Sequence, residues 1–283
     1  MNFTSLSPSA PELAPFIDYY YVQRYLDTDI SLRYQCFPHL NHTLSLFEQA
    51  EFNFDEAGSH VSYNSSAKPL HLLTAIRSAP LWVHHTGPLR KIGVVFKPLG
   101  LCAFTKKTLN ALVPNFVAAA DPFDRPLEEL SIEAFSITAP AELIHCLDCF
   151  FLKVLEPVPQ PLLESVFLAV TELESPKPLQ LIAEEHGISR RHLLRLFQQH
   201  LACSPEVYRQ VARFRQVLHM ATKPEQKLTL TQLAYASHHA DQSHWNKQCR
   251  KWTGYNPKKL LHVGRSLGQQ GTFWRLDFDD KNG

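Results

Sequence analysis

The chain has 283 residues, 45% hydrophobic, 11% aromatic and 19% charged, with a net charge of +1. That composition excludes a disordered chain, and the length predicts two domains or one large one. Six scattered cysteines exclude a disulfide framework, no apolar run nears the ~20 residues of a membrane span, and the polar start lacks a secretory pattern, so a cytoplasmic protein with reduced thiols is expected.

Residues 1 to about 135 read as β-rich. The runs PFIDYYYVQRY, HTLSLFEQAEFNF, LHLLTAIR, LWVHH and KIGVVFKPLG are apolar, aromatic and β-branched, and AGSH, YNSSAKP and HTGP separate them. Such spacing predicts an antiparallel barrel or a sandwich, interrupted by a helix near 100–112. Helical periodicity follows over Ala141–Leu155 and Leu162–Leu173, with proline at each boundary. These two helices are expected to pair antiparallel and close the first domain, or to offer a surface to a second subunit. SPKP, 175–178, is the linker candidate, and from 179 to about 262 the chain is predicted helical.

Charge divides the chain unevenly. Residues 1–177 carry 12 basic and 19 acidic side chains, whereas residues 178–262 carry 13 and 5. An acidic body joined to a basic block is the distribution that nucleic-acid binders show.

The basic block contains a repeat. HLLRLFQQHLACSP (192–205) and HWNKQCRKWTGYNP (244–257) align without gaps, pairing Leu193 with Trp245, Phe197 with Cys249 and Arg195 with Lys247. Each ends in a capping residue before proline, Ser204-Pro205 and Asn256-Pro257. Upstream of each lies a short helical stretch, LQLIAEEHG and LTQLAYASH, so the block reads as two helix–turn–helix units in tandem. In the first, Gly187 supplies the left-handed turn and Ser189 the next cap, with Leu193, Leu196 and Phe197 inward and Arg190, Arg191, Arg195 and Gln199 outward. Pro205–Thr222 is predicted to be one long bridging helix buried along Val207, Val211, Phe214, Val217 and Leu218.

The stretches ISRRHLLRLFQQHLACSPEVYRQVARFRQ and LTQLAYASHHADQSHWNKQCRKWTGYNPKKL resemble the AraC/XylS family of bacterial transcription regulators. The resemblance implies an α+β protein: a β-rich, barrel or cupin-like N-terminal domain with helices, plus an all-α C-terminal domain of two helix–turn–helix units joined by a long helix. The expected divisions are 1–175 for effector binding or dimerisation, 176–265 for DNA binding, and 266–283 as a tail. The implied base readers are Arg191 and Arg195 in the first unit and Gln242, Ser243, His244 and Lys247 in the second. Ser189, Arg190, Gln199, Arg250 and Lys251 are expected on phosphate. The sequence departs from the family at the second turn, where His238 and His239 stand in place of Gly and Phe, and at Cys249, where Phe is usual.

The partners this implies are double-stranded DNA, a small-molecule effector, a second copy of the chain and, for an activator, RNA polymerase; no membrane and no cofactor are expected. Whether the protein activates or represses is open, and so are the effector residues. PELAPFIDYYYV and GPLRKIGVVFKPLGL resemble strands of one N-terminal type in the family, and Tyr19, Tyr21 and Phe96 are candidates to line a pocket there, or simply core. Two other function classes stand beside this reading: a metal-dependent or small-molecule enzyme on the β-rich domain, and a regulator acting mainly through protein contacts. The enzyme reading has little support. Cys146-Leu-Asp-Cys149 sits mid-helix without a second pair, His84-His85 lacks further ligands, and no catalytic constellation is found.

Overall fold

The computed structural model describes residues 2–26, 28, 30–123, 125–222, 242–267 and 272–278. Two six-stranded sheets face one another. The first runs in the order β1 (Asn2–Leu6), β2 (Ile17–Tyr25), β9 (Leu89–Phe96), β4 (His42–Phe47), β7 (Leu70–Thr74) and β10 (Val117–Ala119). The second runs β11 (Gly264–Leu267), β12 (Thr272–Phe278), β3 (Ser31–Cys36), β8 (Leu81–Thr86), β6 (Gly58–Tyr63) and β5 (Ala50–Asp55). Their pairings are antiparallel except β6 with β8, which is parallel.

Strand alternation gives the first sheet two different faces. On β9, Ile92, Val94 and Phe96 join Leu147 and Phe151 in an outer core beneath helices α2 (Leu127–Ser136) and α3 (Pro140–Val154). Leu89, Lys91 and Val95 point the other way, toward the second sheet. Gly93 lies across from Tyr21, whose ring passes where a Cβ would sit, 2.0 Å away, so only glycine fits. Within α3, Asp148 accepts hydrogen bonds from the Ser9 and Ala10 backbones at 2.8 and 2.9 Å and from Tyr20 Oη at 2.8 Å. The cysteine pair at 146 and 149 thus flanks a structural anchor, with Cys146 in the core.

Several expectations need correction. AGSH and the start of YNSSAKP are not separators, because Gly58–Tyr63 forms β6; Gly58 is required where a Cβ would meet the Trp82 carbonyl at 2.3 Å. Helix α2 falls in the stretch read as β-rich. The interruption near 100–112 is a 3-10 turn, Gly100–Ala103, followed by the short α1 (Leu109–Leu112). The two predicted helices do not pair: α3 packs on α2, whereas α4 (Pro161–Thr171) packs on α5 (Leu179–Glu185) and α7 (Pro205–Thr222). Val166 and Val170 complete a helical core, and the stripe that periodicity detected could not say which core it would join.

The remaining helices are α6 (Arg190–Leu201), α8 (Gln242–Thr253) and α9 (Pro257–Val263). Helix α7 is shared between two cores. Its first half gives Tyr208 to the core of α4, α5 and α6, and its second half gives Phe214, Val217 and Leu218 to the core of α8 and α9. The stretch expected as a tail carries β12, which pairs with β3 from Trp274↔Cys36 to Phe278↔Leu32. The helix expected over LTQLAYASH, and His238 and His239, lie outside the described residues.

Candidate nucleic-acid interface

Helix α5 ends at Gly187, whose φ of +65° is the left-handed conformation a tight helix–helix turn needs. Ser189 then opens α6, its Oγ accepting from the His192 backbone N–H at 3.1 Å. Ile182, Ala183, Leu193, Phe197 and Leu201 are fully buried between the two helices, α4 and α7, which fixes how α6 is presented. Arg209 of α7 ties this bundle together, donating to the Val170 and Lys177 carbonyls at 3.1 and 2.9 Å.

The outward face of α6 is a shallow basic groove lined by Ser189, Arg191, His192, Leu194, Arg195 and Gln198. Arg190, Arg191 and Arg195 are exposed, while Leu196 is half-buried. Gln199 lies on a different flank, half-buried in the cleft toward Cys102, Lys106 and Lys107. Leu194 and Gln198 share the arginine face and were not anticipated; their spacing from Arg191, i+3 and i+7, was the available signal. An exposed leucine between two arginines suits a major groove, where thymine presents a methyl group and guanine two acceptors.

The second unit repeats the local chemistry. Trp245, Cys249 and Trp252 are buried on α8, and Lys247, Arg250 and Lys251 are exposed. The matched pairs therefore behave alike: Leu193 with Trp245 and Phe197 with Cys249 inward, Arg195 with Lys247 outward. Gln242, Ser243 and His244 occupy the first turn of α8, and their side chains lie outside the described residues. Gly254, with φ +80°, ends the helix, and Asn256 Oδ1 caps α9 by accepting from the Lys259 backbone at 2.9 Å. Ser204 does the same for α7, accepting from Val207 at 3.2 Å.

Residues 182–262 match a family described as a helix-turn-helix domain, and this is the span that holds both units. The basic block that resembles AraC/XylS regulators is thus a helix-turn-helix domain, the DNA-binding part of a transcriptional regulator. Residues 5–118 match a family described as a domain of unknown function. No curated protein matches. Among solved structures, ToxT from Vibrio cholerae is similar at 11% identity, over 86% of this chain and 97% of that one, with a TM-score of 0.46. A form of ToxT bound to an unsaturated fatty acid is similar at 12% identity, over 89% and 98% of the chains, with a TM-score of 0.47.

Each head of the regulator touches the β-rich region. Against the first head, Leu40, Ile76 and Leu99 pack on its core, α1 packs on α6, and His42 Nε2 donates to the Leu201 carbonyl at 3.2 Å. Burial lowers the pKa of His42 to about 4, which keeps the ring neutral there. Against the second head, Phe37 and Phe273 sit in the core of α8 and α9, Gln35 Nε2 donates to the Thr253 carbonyl at 3.3 Å, and Arg275 bonds the Tyr255 hydroxyl.

Between the sheets lies an open cavity of about 100 Å3. Tyr19 and Tyr21 line it as expected of pocket candidates, but Phe96 does not: one residue on from Val95, it faces the outer core against Phe104 and Phe151. Trp274 of β12 also lines it, stacked on Tyr34 with ring centroids 4.7 Å apart, and Thr272 bonds the Tyr19 hydroxyl. Among the described residues, no three His, Cys, Asp or Glu side chains are grouped to hold a metal ion, and no helix is long and apolar enough to cross a membrane.

Proposed function

We propose that this regulator reads DNA sequence with both heads and that the inter-sheet cavity receives the effector. Arg191 and Arg195 contact base edges from the first head, Ser189 and Arg190 hold phosphate, and Gln242, Ser243, His244 and Lys247 are the corresponding readers of the second, with Arg250 and Lys251 on the backbone. The observation that carries this reading is the exposed Arg191–Leu194–Arg195–Gln198 face on a helix whose opposite face is fully buried. A folded protein has no packing use for that combination, while a guanidinium pairs bidentately with guanine.

The effector part rests on polarity. A cavity lined by Thr43, Ser45, Thr74 and Arg77 among aromatic rings is costly as plain core and suitable for holding a polar ligand in orientation. Its wall includes β12, which continues from α9 through β11, so a ligand that favours one placement of β12 also favours one placement of the second head.

Selection of preferred duplexes in vitro tests the two-headed reading. Two motif halves about one helical turn apart are expected, and a single half would restrict reading to one head. Arg195→Ala should weaken binding to the selected site by about 1–3 kcal/mol and leave random duplex much less affected. Equal loss on both would remove Arg195 from the base readers. Binding to either should fall steeply with added salt.

A further inference from the structure

The charged side chains that line the cavity, Arg77 and Lys91, are both cationic, and among the described residues no aspartate or glutamate lines it. Both are largely buried, with 8% and 6% of their surface exposed. Arg77 Nη2 donates to the Cys36 carbonyl at 3.1 Å, and its Nε has no acceptor. The Lys91 ammonium has neither a hydrogen bond nor an ion pair among the described residues. It lies over the rings of Tyr21, Phe47 and Trp274, at 5.3, 5.4 and 5.9 Å from their centroids. Burial pushes the Cys36 thiol up to about 11, and both cations pull against that shift.

A buried cation without a counter-charge is unfavourable for the fold, and cation–π contacts replace only part of its lost hydration. Fold stability alone would favour an apolar residue at position 91. The neighbouring Arg90, on the other face of β9, has its carboxylate in Glu48 at 2.6 Å, so the lack of a partner is particular to the cavity side. Aromatic rings beside the cations offer room for the uncharged part of a ligand.

We propose that the cavity is a receptor for a small organic carboxylate, its anionic group held by Lys91 and Arg77 and its apolar body by the Tyr21, Tyr34 and Trp274 rings. The proposal rests on the effector reading above and names its ligand class.

Calorimetric titration of the full chain with hexanoate and 3-phenylpropionate, against hexanamide, 3-phenylpropionamide and inorganic phosphate, tests it. The acids should bind at least about ten-fold more tightly than their amides, because a charge-assisted bond is lost in the amide. Phosphate alone should bind more weakly than either acid. Lys91→Met should erase the preference for acid over amide, Lys91→Arg should keep it, and Lys91→Met should raise the Tm of the unliganded protein. Amides that bind as well as the acids and change DNA affinity would leave the effector reading standing and overturn the carboxylate. Phosphate binding as tightly as the acids would overturn an organic ligand. A preference that survives Lys91→Met, or a lowered Tm in that variant, would overturn the role of Lys91. Binding by none of the probes would count against both the carboxylate and the cavity as an effector site.

Discussion

The two helix–turn–helix units are built alike in sequence and attached differently. The first closes most of its core from its own helices: α4, α5, α6 and the start of α7 surround Phe197 and Tyr208, and the β-rich region adds Ile76, with Leu40, Leu99 and the His42 bond at its edge. The second draws part of its core from elsewhere, with Phe37 from the loop after β3 and Phe273 from β12 packed among Trp245, Trp252 and Leu260. Moreover, α9 runs directly into β11, so the second head is continuous with a sheet that lines the cavity. Equal reading faces therefore do not imply equal control. A change in the cavity wall at β12 reaches the second head through β11, and reaches the first through packing and hydrogen bonds such as those of His42 and Cys102.

The sharpest way to break this comparison is Phe273→Ala. Removing a ring that is 7% exposed should cost about 3–5 kcal/mol and act on the second head. Hydrogen exchange should rise in α8 and α9 much more than in α5 and α6, and equal protection of both heads would show that β12 does not support the second. The first head has a different weakness, acid. His42 has a folded pKa of about 4 against an ordinary 6.5, so the unfolded chain binds the proton more readily. Its contribution is therefore present above about pH 6.5 and is lost as pH falls toward 4, by up to about 3 kcal/mol. Urea unfolding of His42→Gln across that window should show a shallower loss than the native chain. An unchanged slope would assign the acid sensitivity to other buried histidines, such as His85, which burial also holds low. The smallest effects are local caps. Ser189→Ala and Asn256→Ala should each cost about 1 kcal/mol, measured by denaturation, and Ser189→Ala alone should also loosen the turn that presents Arg191.

What was legible in the sequence was whatever depends on near neighbours. Gly187, Ser189, Ser204 and Asn256 act within four residues, and their turn and caps stand where the spacing put them. The alignment of Leu193 with Trp245 and of Arg195 with Lys247 separated inward from outward positions, because a helix repeats its faces every 3.6 residues. Illegible were the partners of each apolar stripe. The periodicity of α4 is the same whether it packs on α3 or on α5 and α7. Strand β6 was hidden because its sequence, GSHVSY, is polar enough to read as a turn, and its place between β5 and β8 makes it a strand.

The sequence by itself determined the repeated helix pattern, its basic outward faces and its capped boundaries, since these follow from backbone geometry and side-chain spacing over a few residues. Tertiary structure alone decided that Lys91 and Arg77, distant from Trp274 in the chain, line one cavity. It also decided that the last strand belongs to the β-rich region and that the second head is joined to the cavity wall. Strand pairing across more than two hundred residues is settled by which edge is open and which faces must be buried, and no local pattern in Thr272–Phe278 carries that information.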